Sequence, residues 1–250
     1  MHHYSGVAER IRTIISSALH GARTLVFPEL CIMCRREFVE ICLSCKSRWF
    51  APAEQLRFSV APTYSVIPYS EDVSAIVLLA KEERNKVAQS LIAQALHQSI
   101  TQLLERTATE SCLLIPVPSS RQAIRKRGES FLHPILNRVI SLQRATRKSS
   151  NPQWIWQELL RHTRRVRDQA SLSPVARASN MESVFSVIAQ TESHSKGLSS
   201  GIFDLPIVVV DDVITTGATL KNAIEALRER KMTVLGAATA CASTHQFLIR

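Results

Sequence analysis

The stretch from Ile207 to Leu220 constrains the fold of this chain more than any other part of the sequence. It begins inside an uncharged run, Leu205–Val210, whose β-branched residues predict a buried strand. Two aspartates follow this run, and a threonine- and glycine-containing turn then leads into a helix predicted over Ala218–Arg230. A strand that is apolar on both faces and is followed by a helix is typical of an α/β protein with a parallel sheet.

The preceding part of the chain alternates between strand and helix signals in the same way. Short apolar runs predict further strands over Tyr64–Pro68, Cys112–Val117 and Val234–Ala240. Helical spacing of apolar residues predicts helices over Val87–Leu104, Ile135–Leu142 and Trp154–His162. The apolar run Ser74–Ala80 fits either a strand or the end of a helix. We therefore expect a parallel sheet that is covered by helices on both faces.

The two acids and the turn after the strand have the chemistry of a ribose phosphate site. Ligands of open α/β sheets bind at the carboxyl ends of strands, where Asp211 and Asp212 are expected. Adjacent carboxylates repel each other unless ribose hydroxyls or a cation compensate them. The helix start at Thr215–Thr219 offers backbone N–H groups and hydroxyls to a phosphate. The alternative is ordinary helix capping by Thr215 or Thr216, with the acids neutralising the helix dipole.

A basic segment follows the strand predicted over Cys112–Val117. If this strand runs parallel to Leu205–Val210, its cations lie at the same edge of the sheet as the acids; these cations are Arg121, Arg125, Lys126 and Arg127. They suit a diphosphate or a nucleic-acid backbone, and the formal net charge of +10 favours polyanionic partners in general. A solvated basic loop remains the alternative.

Four cysteines near the N-terminus form two C-x2-C pairs, which predict a structural zinc site. The four thiolates of Cys31, Cys34, Cys42 and Cys45 would complete a closed tetrahedral centre. A redox dithiol and unliganded thiols remain open as alternatives. Cys112 and Cys241 lie inside apolar runs and are expected to be buried.

We expect three regions along the chain. Apolar residues at helical spacing predict an amphipathic helix within residues 1–24, for packing or for a membrane surface. Residues 25–63 would form the cysteine module and a connection, and residues 64–250 the α/β domain. No run reaches the roughly 18 apolar residues of a membrane span, and no signal peptide is recognisable, so we expect a cytoplasmic protein.

Val208–Leu220 resembles the PRPP-binding motif of type I phosphoribosyltransferases. The resemblance implies that Asp211 and Asp212 hold the ribose 2′ and 3′ hydroxyls and that Mg²⁺ enters with the diphosphate of PRPP. It also implies that the 5′-phosphate is wrapped by Val213, Ile214, Thr215, Thr216, Gly217, Ala218 and Thr219. A loop of this family closes over PRPP, and Arg165 and Arg167 are the candidates for that role. Helix-surface charge is the alternative for these two arginines.

From about Leu25 onward, the chain resembles the ComF family of competence-associated proteins. The resemblance is carried by the four cysteines, Ile115–Pro118, Arg125–Gly128, the motif above, and the spacing of Gln169, Leu172, Arg177, Asn180 and Phe185. It implies a type I phosphoribosyltransferase-like domain behind a zinc-knuckle or ribbon module. The sequence departs from the family at Glu129–Phe131, where the family has Phe-Asn-Gln, and at Arg35, where glycine is usual.

Two functions follow from the resemblance. The first is an enzyme, a glycosyltransferase that moves the phosphoribosyl group of PRPP to an unidentified acceptor. Purine-salvage relatives have a carboxylate where Thr215 stands, so the sequence does not favour a purine acceptor. The second is a non-catalytic protein that reuses the fold to bind nucleic acid, such as single-stranded DNA. Both functions fit DNA uptake or DNA processing, with partner proteins of those processes.

Overall fold

The structure, a computed structural model, describes residues 30–37, 39–146, 153–163, 184–188 and 204–247. The chain divides into two compact units, Met1–Ser47 and Arg48–Arg250. The first unit contains helix α1 (Leu43–Ser47) and an isolated antiparallel bridge between Leu30 and Glu37. The amphipathic helix predicted within residues 1–24 lies outside the described residues.

The second unit contains eight strands and five helices among the residues that the structure describes. The strands are β1 (Glu54–Gln55), β2 (Thr63–Tyr69), β3 (Cys112–Pro116), β4 (Trp154–Trp156), β5 (Leu160–His162), β6 (Phe185–Val187), β7 (Ile207–Ile214) and β8 (Val234–Ser243). The helices are α2 (Glu71–Glu82), α3 (Lys86–Arg106), α4 (Arg121–Arg127), α5 (Leu132–Thr146) and α6 (Ala218–Glu229). None of the described helices is both long enough and apolar enough to cross a membrane.

Six strands form one sheet in the order β1-β2-β8-β7-β3-β4. All neighbours in it are parallel except β1 and β2, which are antiparallel. The carboxyl ends of β3, β7 and β8 therefore meet at one edge. Strands β5 and β6 form a separate antiparallel pair. The expected α/β fold, a mostly parallel sheet flanked by helices, is confirmed.

Alternate residues of the sheet pack against different helices. Ala237 and Val209 share a buried cluster with Ile224 of α6. The neighbouring Gly236 faces Leu103 of α3, whose side chain would lie 3.0 Å from an added Cβ. Because successive residues of a strand point to opposite faces, α6 and α3 cover the two faces of the sheet. This double cover explains why β7 and β8 are apolar on both faces.

Helix α3 begins at an asparagine cap. The Asn85 side chain accepts hydrogen bonds from the N–H groups of Val87 and Ala88 at 2.9 and 3.0 Å. These bonds satisfy two of the N–H groups that a helix start leaves without intrahelical partners. The helix then buries a full apolar stripe, and its Ser99 hydroxyl donates to the Thr239 carbonyl at 2.8 Å.

The helix predicted over Trp154–His162 is wrong. These residues form strands β4 and β5 instead, because each has a distant pairing partner: Trp154 pairs with Cys112, and Leu160 pairs with Val187. The ambiguous run Ser74–Ala80 lies in helix α2. The burial expected for Cys112 and Cys241 is confirmed.

Candidate functional site

The candidate site lies at the carboxyl edge of the sheet, where β3 and β7 end side by side. Pro116 pairs with Val210, and the Val117 N–H donates to the Val210 carbonyl at 2.9 Å. The parallel arrangement that the sequence argument required is therefore present. It brings the segment after β3 and the acids of β7 to the same edge of the sheet.

The two acids lie inside β7 and not after it, which corrects the sequence prediction. The strand runs on to Ile214 because Val213 and Ile214 pair with Cys241 and Ala242 of β8. As neighbours in a strand, the acids take different environments. The Asp211 carboxylate accepts a hydrogen bond from the Asp212 N–H at 2.9 Å. Asp212 is buried.

The electrostatics of this acid pair are asymmetric. Burial, and then the neighbouring charge of Asp212, raise the pKa of Asp211 well above its ordinary value. Asp212 has a cationic partner: its Oδ2 lies 2.6 Å from the Lys81 Nζ. Lys81 is in α2, far from the acids in sequence, and no spacing in the chain connects the two. Sequence reasoning therefore missed this residue.

The turn after β7 exposes a helix start. Thr215, Thr216, Ala218 and Thr219 are exposed, and the Thr216 hydroxyl accepts from the Ala218 N–H at 3.4 Å. The N-cap is Gly217 and no side chain makes a capping hydrogen bond, so the alternative of capping by Thr215 or Thr216 is wrong. The acids make none of the capping bonds found among the described residues. A helix start that is open to solvent suits a phosphate.

Gly217 is the residue that permits this turn. It has a left-handed φ of 80°, and a Cβ added here would lie 2.5 Å from Cε2 of Phe58. Both the backbone angle and the aromatic ring therefore exclude a side chain. On the other side of the turn, the Gln246 amide donates to the Thr215 carbonyl at 2.8 Å. The conformation of the turn is held by contacts with two other segments.

The four cations predicted after β3 lie in a helix, α4, which spans Arg121–Arg127. Its N-cap is Ser120, whose hydroxyl accepts from the Ala123 N–H at 3.2 Å, and it ends at Gly128 with a φ of 82°. The exposed cations of this helix are Arg121, Arg125 and Lys126. Arg127 is half-buried and pairs with Glu82 at 3.6 Å, and Lys126 pairs with the same carboxylate. Arg165 and Arg167 lie outside the described residues.

The departure from the ComF pattern at Glu129–Phe131 has a structural counterpart. Glu129 is exposed, and the Ser130 hydroxyl lies 3.3 Å from that of Ser119, which precedes α4. Phe131 is buried, and Lys81 Nζ lies 5.2 Å from the centre of its ring. Ser130 thus contacts the loop after β3, and Phe131 contacts Lys81 of α2.

His162 is a further residue near the edge that sequence reasoning missed. Its Nε2 lies 3.2 Å from the carbonyl of Pro118, so a proton on this nitrogen is donated to the loop after β3. The imidazole also packs on Phe185, with ring centres 5.0 Å apart. Strands β5 and β6 are thereby attached to that loop. Phe185 was singled out by the family spacing; Gln169, Leu172, Arg177 and Asn180 lie outside the described residues.

The four cysteines of the first unit converge as their spacing predicted. The sulfur atoms of Cys31, Cys34, Cys42 and Cys45 all lie within 4.8 Å of one another. Ligands 2.3 Å from a tetrahedral zinc are about 3.8 Å apart, so a small contraction would complete the centre. The Cys42 N–H also points at the Cys31 sulfur at 3.4 Å. The cluster therefore has the donor set and the geometry to hold zinc.

The protonation of the Cys31 thiol also favours a metal. Burial raises its pKa, but backbone hydrogen bonds from Cys34, Cys42 and Met33 outweigh burial and lower the pKa to about 6. A thiol with this pKa is largely thiolate at neutral pH, and the thiolate is the form that binds metal.

Arg35 explains why glycine is usual after the second cysteine. Its backbone has a φ of 62°, in the left-handed region that L-residues avoid. The turn is closed by a hydrogen bond from the Arg35 N–H to the Cys31 carbonyl at 2.8 Å. This arginine therefore adopts the conformation of a glycine at a cost in strain.

Comparison with known families agrees with this geometry. Residues 124–247 match the family model of the phosphoribosyl transferase domain, and this range includes the acid pair, the turn and α6. No curated protein matches the chain significantly. The chain thus contains a phosphoribosyltransferase-like domain, and it also has a four-cysteine cluster near its N-terminus.

Proposed function

We propose that this chain binds PRPP at the carboxyl edge of its sheet and transfers the phosphoribosyl group to an acceptor. One observation carries the proposal: an acid pair and an exposed helix start lie at a strand end of a matched phosphoribosyltransferase domain. The match supports PRPP binding, and it leaves the acceptor open.

Different residues at this edge would bind different groups of PRPP. Asp211 and Asp212 would accept the ribose hydroxyls, and Val213–Thr219 would surround the 5′-phosphate with N–H and O–H donors. The exposed cations of α4, Arg121 and Arg125, would face the diphosphate, because guanidinium groups suit phosphate oxygens. Lys126 and Arg127 would reach it only if they gave up Glu82.

In the transfer, the bond from C1′ to the diphosphate oxygen breaks and a bond from C1′ to the acceptor forms. The diphosphate leaves with the electron pair, and basic side chains stabilise its charge. Mg²⁺ bound to the diphosphate would neutralise it further. The chain's own contribution is to hold the ribose and the 5′-phosphate so that C1′ is presented to the acceptor.

The decisive experiment is calorimetric titration of the whole protein with PRPP and Mg²⁺. We expect saturable binding with one site per chain. The double variant Asp211→Asn, Asp212→Asn should weaken it by about 10- to 100-fold for each lost charged acceptor, with the fold intact by circular dichroism. Undiminished affinity in this variant would disprove the site. Release of diphosphate when candidate acceptors are added would establish transfer.

We also propose that the cysteine cluster holds one structural zinc ion. Metal analysis of the purified protein should find one zinc per chain, and Cys34→Ser should lose it because a closed site needs all four thiolates. Cys112→Ala is the matched control, since Cys112 is buried in the other unit. Absence of stoichiometric zinc from the wild type would reject this assignment.

The four cysteines together with the domain favour the ComF type, and with it a role in DNA uptake or DNA processing. Thiolate ligands persist in a reducing compartment, which supports action in the cytoplasm.

A second candidate function, nucleic-acid binding without catalysis, is favoured by the exposed cations of α4 and the net charge of +10. Binding of single-stranded DNA that weakens steeply with salt, by a protein that does not bind PRPP, would select this alternative. Salt-independent binding or no binding of DNA would remove it.

A further inference from the structure

Lys81 is a charged residue of the site that lies outside the matched range 124–247. It belongs to the last turn of α2, and its Nζ lies 2.6 Å from Oδ2 of Asp212. The same ammonium lies 5.2 Å from the centre of the Phe131 ring. The lysine is thus held between a carboxylate of β7 and an aromatic ring at the start of α5.

The burial of this pair separates it from an ordinary surface ion pair. The Asp212 side chain is 10% exposed and that of Lys81 is 28% exposed, so water screens their attraction weakly. An aromatic face beneath the ammonium restricts the flexible lysine stem and adds a cation–π attraction. Lys81 is therefore placed and ordered by its surroundings.

The acid pair needs such a cation. Asp211 and Asp212 are adjacent, and the charge of Asp212 also adds to burial in raising the pKa of the Cys241 thiol of β8. Among the residues that the structure describes, Lys81 is the one cation that forms an ion pair with Asp212. Without it, the neighbouring charge of Asp212 would raise the pKa of Asp211 further and favour its protonation.

We propose that Lys81 is a positioning residue of the ribose site, which holds the Asp212 carboxylate in the orientation that accepts a ribose hydroxyl and opposes the negative charge of the acid pair. The inference rests on the proposed PRPP function. A carboxylate has about four acceptor positions, so the ion pair with Lys81 leaves acceptor positions for the ribose. In this arrangement α2 completes a ribose site whose two carboxylates lie within the matched range.

The test is titration of the whole protein with Mg-PRPP and, separately, with Mg-pyrophosphate. Lys81→Met should weaken PRPP binding at least about tenfold, as expected for loss of one charge-assisted interaction. Pyrophosphate affinity should stay unchanged, because that ligand lacks the ribose. Lys81→Arg keeps the charge and should stay within about threefold of the wild type in PRPP affinity. Lys231→Met, an exposed lysine before β8 at the opposite edge, is the matched control.

Lys81→Gln provides a second readout in case the methionine variant does not fold. Its PRPP affinity should fall more steeply than that of the wild type as the pH is lowered from 8 to 5.5, because the Lys81 charge lowers the pKa of Asp211 and the variant lacks that charge. Parallel pH profiles, or a PRPP affinity of Lys81→Met within threefold of the wild type, would overturn the proposal. Equal loss of pyrophosphate binding would also overturn it, by making Lys81 a diphosphate contact. Failure of the wild type to bind PRPP would instead reject the proposed function.

Discussion

At the scale of single residues, Asp211 illustrates the conflict between binding and stability. The proposed ligand would need a charge at this position, although burial and the charge of Asp212 both raise the pKa of Asp211. In the free protein its ionisation therefore costs folding energy. A ribose hydroxyl that donates to this carboxylate would recover part of that cost on binding. Functional sites commonly keep such unfavourable groups.

Asp211→Asn should therefore stabilise the free protein at neutral pH. A carboxyl with a raised folded pKa loses folding free energy as the pH rises from the unfolded pKa, near 3.9, to the folded pKa. The variant avoids this loss, so its advantage should be absent near pH 3.5 and should grow as the pH rises to 7. Urea denaturation at several pH values measures the difference. An advantage that is constant with pH would contradict the raised pKa.

At the same scale, the sequence predicts which residues carry charge but not which of them meet. Asp211 and Asp212 were predictable because one strand places them together at an edge. Lys81 was not, since its contact with Asp212 depends on the path of α2 over the sheet, which no local pattern encodes. The same holds for His162 and the Pro118 carbonyl.

At the scale of elements, two glycines end or begin helices with the same backbone angle but in different surroundings. Gly217 has φ 80° and Gly128 has φ 82°, while the nearest atom to an added Cβ is 2.5 Å away at Gly217 and 3.6 Å away at Gly128. Alanine substitutions at these two glycines therefore distinguish the free-energy cost of a left-handed φ from that of a steric clash.

Gly128→Ala should cost about 1–2 kcal/mol for the left-handed angle alone. Gly217→Ala should cost about 1–3 kcal/mol more, because Phe58 must move and an overpacked contact adds strain. Chemical denaturation of both variants checks the difference. Equal costs would show that the Phe58 ring moves aside freely, and the turn before α6 would then be less constrained than its contacts indicate.

In the cysteine module, Arg35→Gly should relieve strain and stabilise the folded, zinc-bound form by about 1 kcal/mol. Because metal binding and folding of such modules are coupled, the gain should appear as slower transfer of zinc to a chelator. Arg36→Gly is the control, as Arg36 has no left-handed φ and should gain nothing. Faster zinc loss from Arg35→Gly would mean that the arginine side chain itself supports the module.

The elements also show where prediction from sequence fails. Long elements with strong patterns, such as α3 and β7, were predictable because their own residues determine them. Strands β4 and β5 have three residues each, too few for a strand pattern to outweigh a helical one. They form because β3 and β6 supply hydrogen-bonding partners.

At the scale of the whole molecule, the matched range is smaller than the structural unit. Strands β2 and β3 lie before residue 124, yet they pair directly with β8 and β7. Helix α3, which covers one face of the sheet, also precedes the match. The matched range therefore includes two central strands without their outer neighbours.

A fragment of residues 124–247 should consequently fail to fold on its own. Without β2, β3 and α3, it leaves β7 and β8 as a pair with both outer edges unpaired and one face uncovered. We expect no cooperative urea transition in the fragment, against a cooperative one in the whole chain. A cooperative transition would show that the outer strands are dispensable.

The pairing of β2 with β8 also has a consequence for synthesis on the ribosome. Residues 63–69 are made well before their partners, residues 237–243. Protein synthesis adds about 5–20 residues per second, so on the order of ten to thirty seconds separate the synthesis of β2 from that of its partner strand. During that interval the nascent chain presents an unpaired apolar strand, so we expect chaperones to engage it.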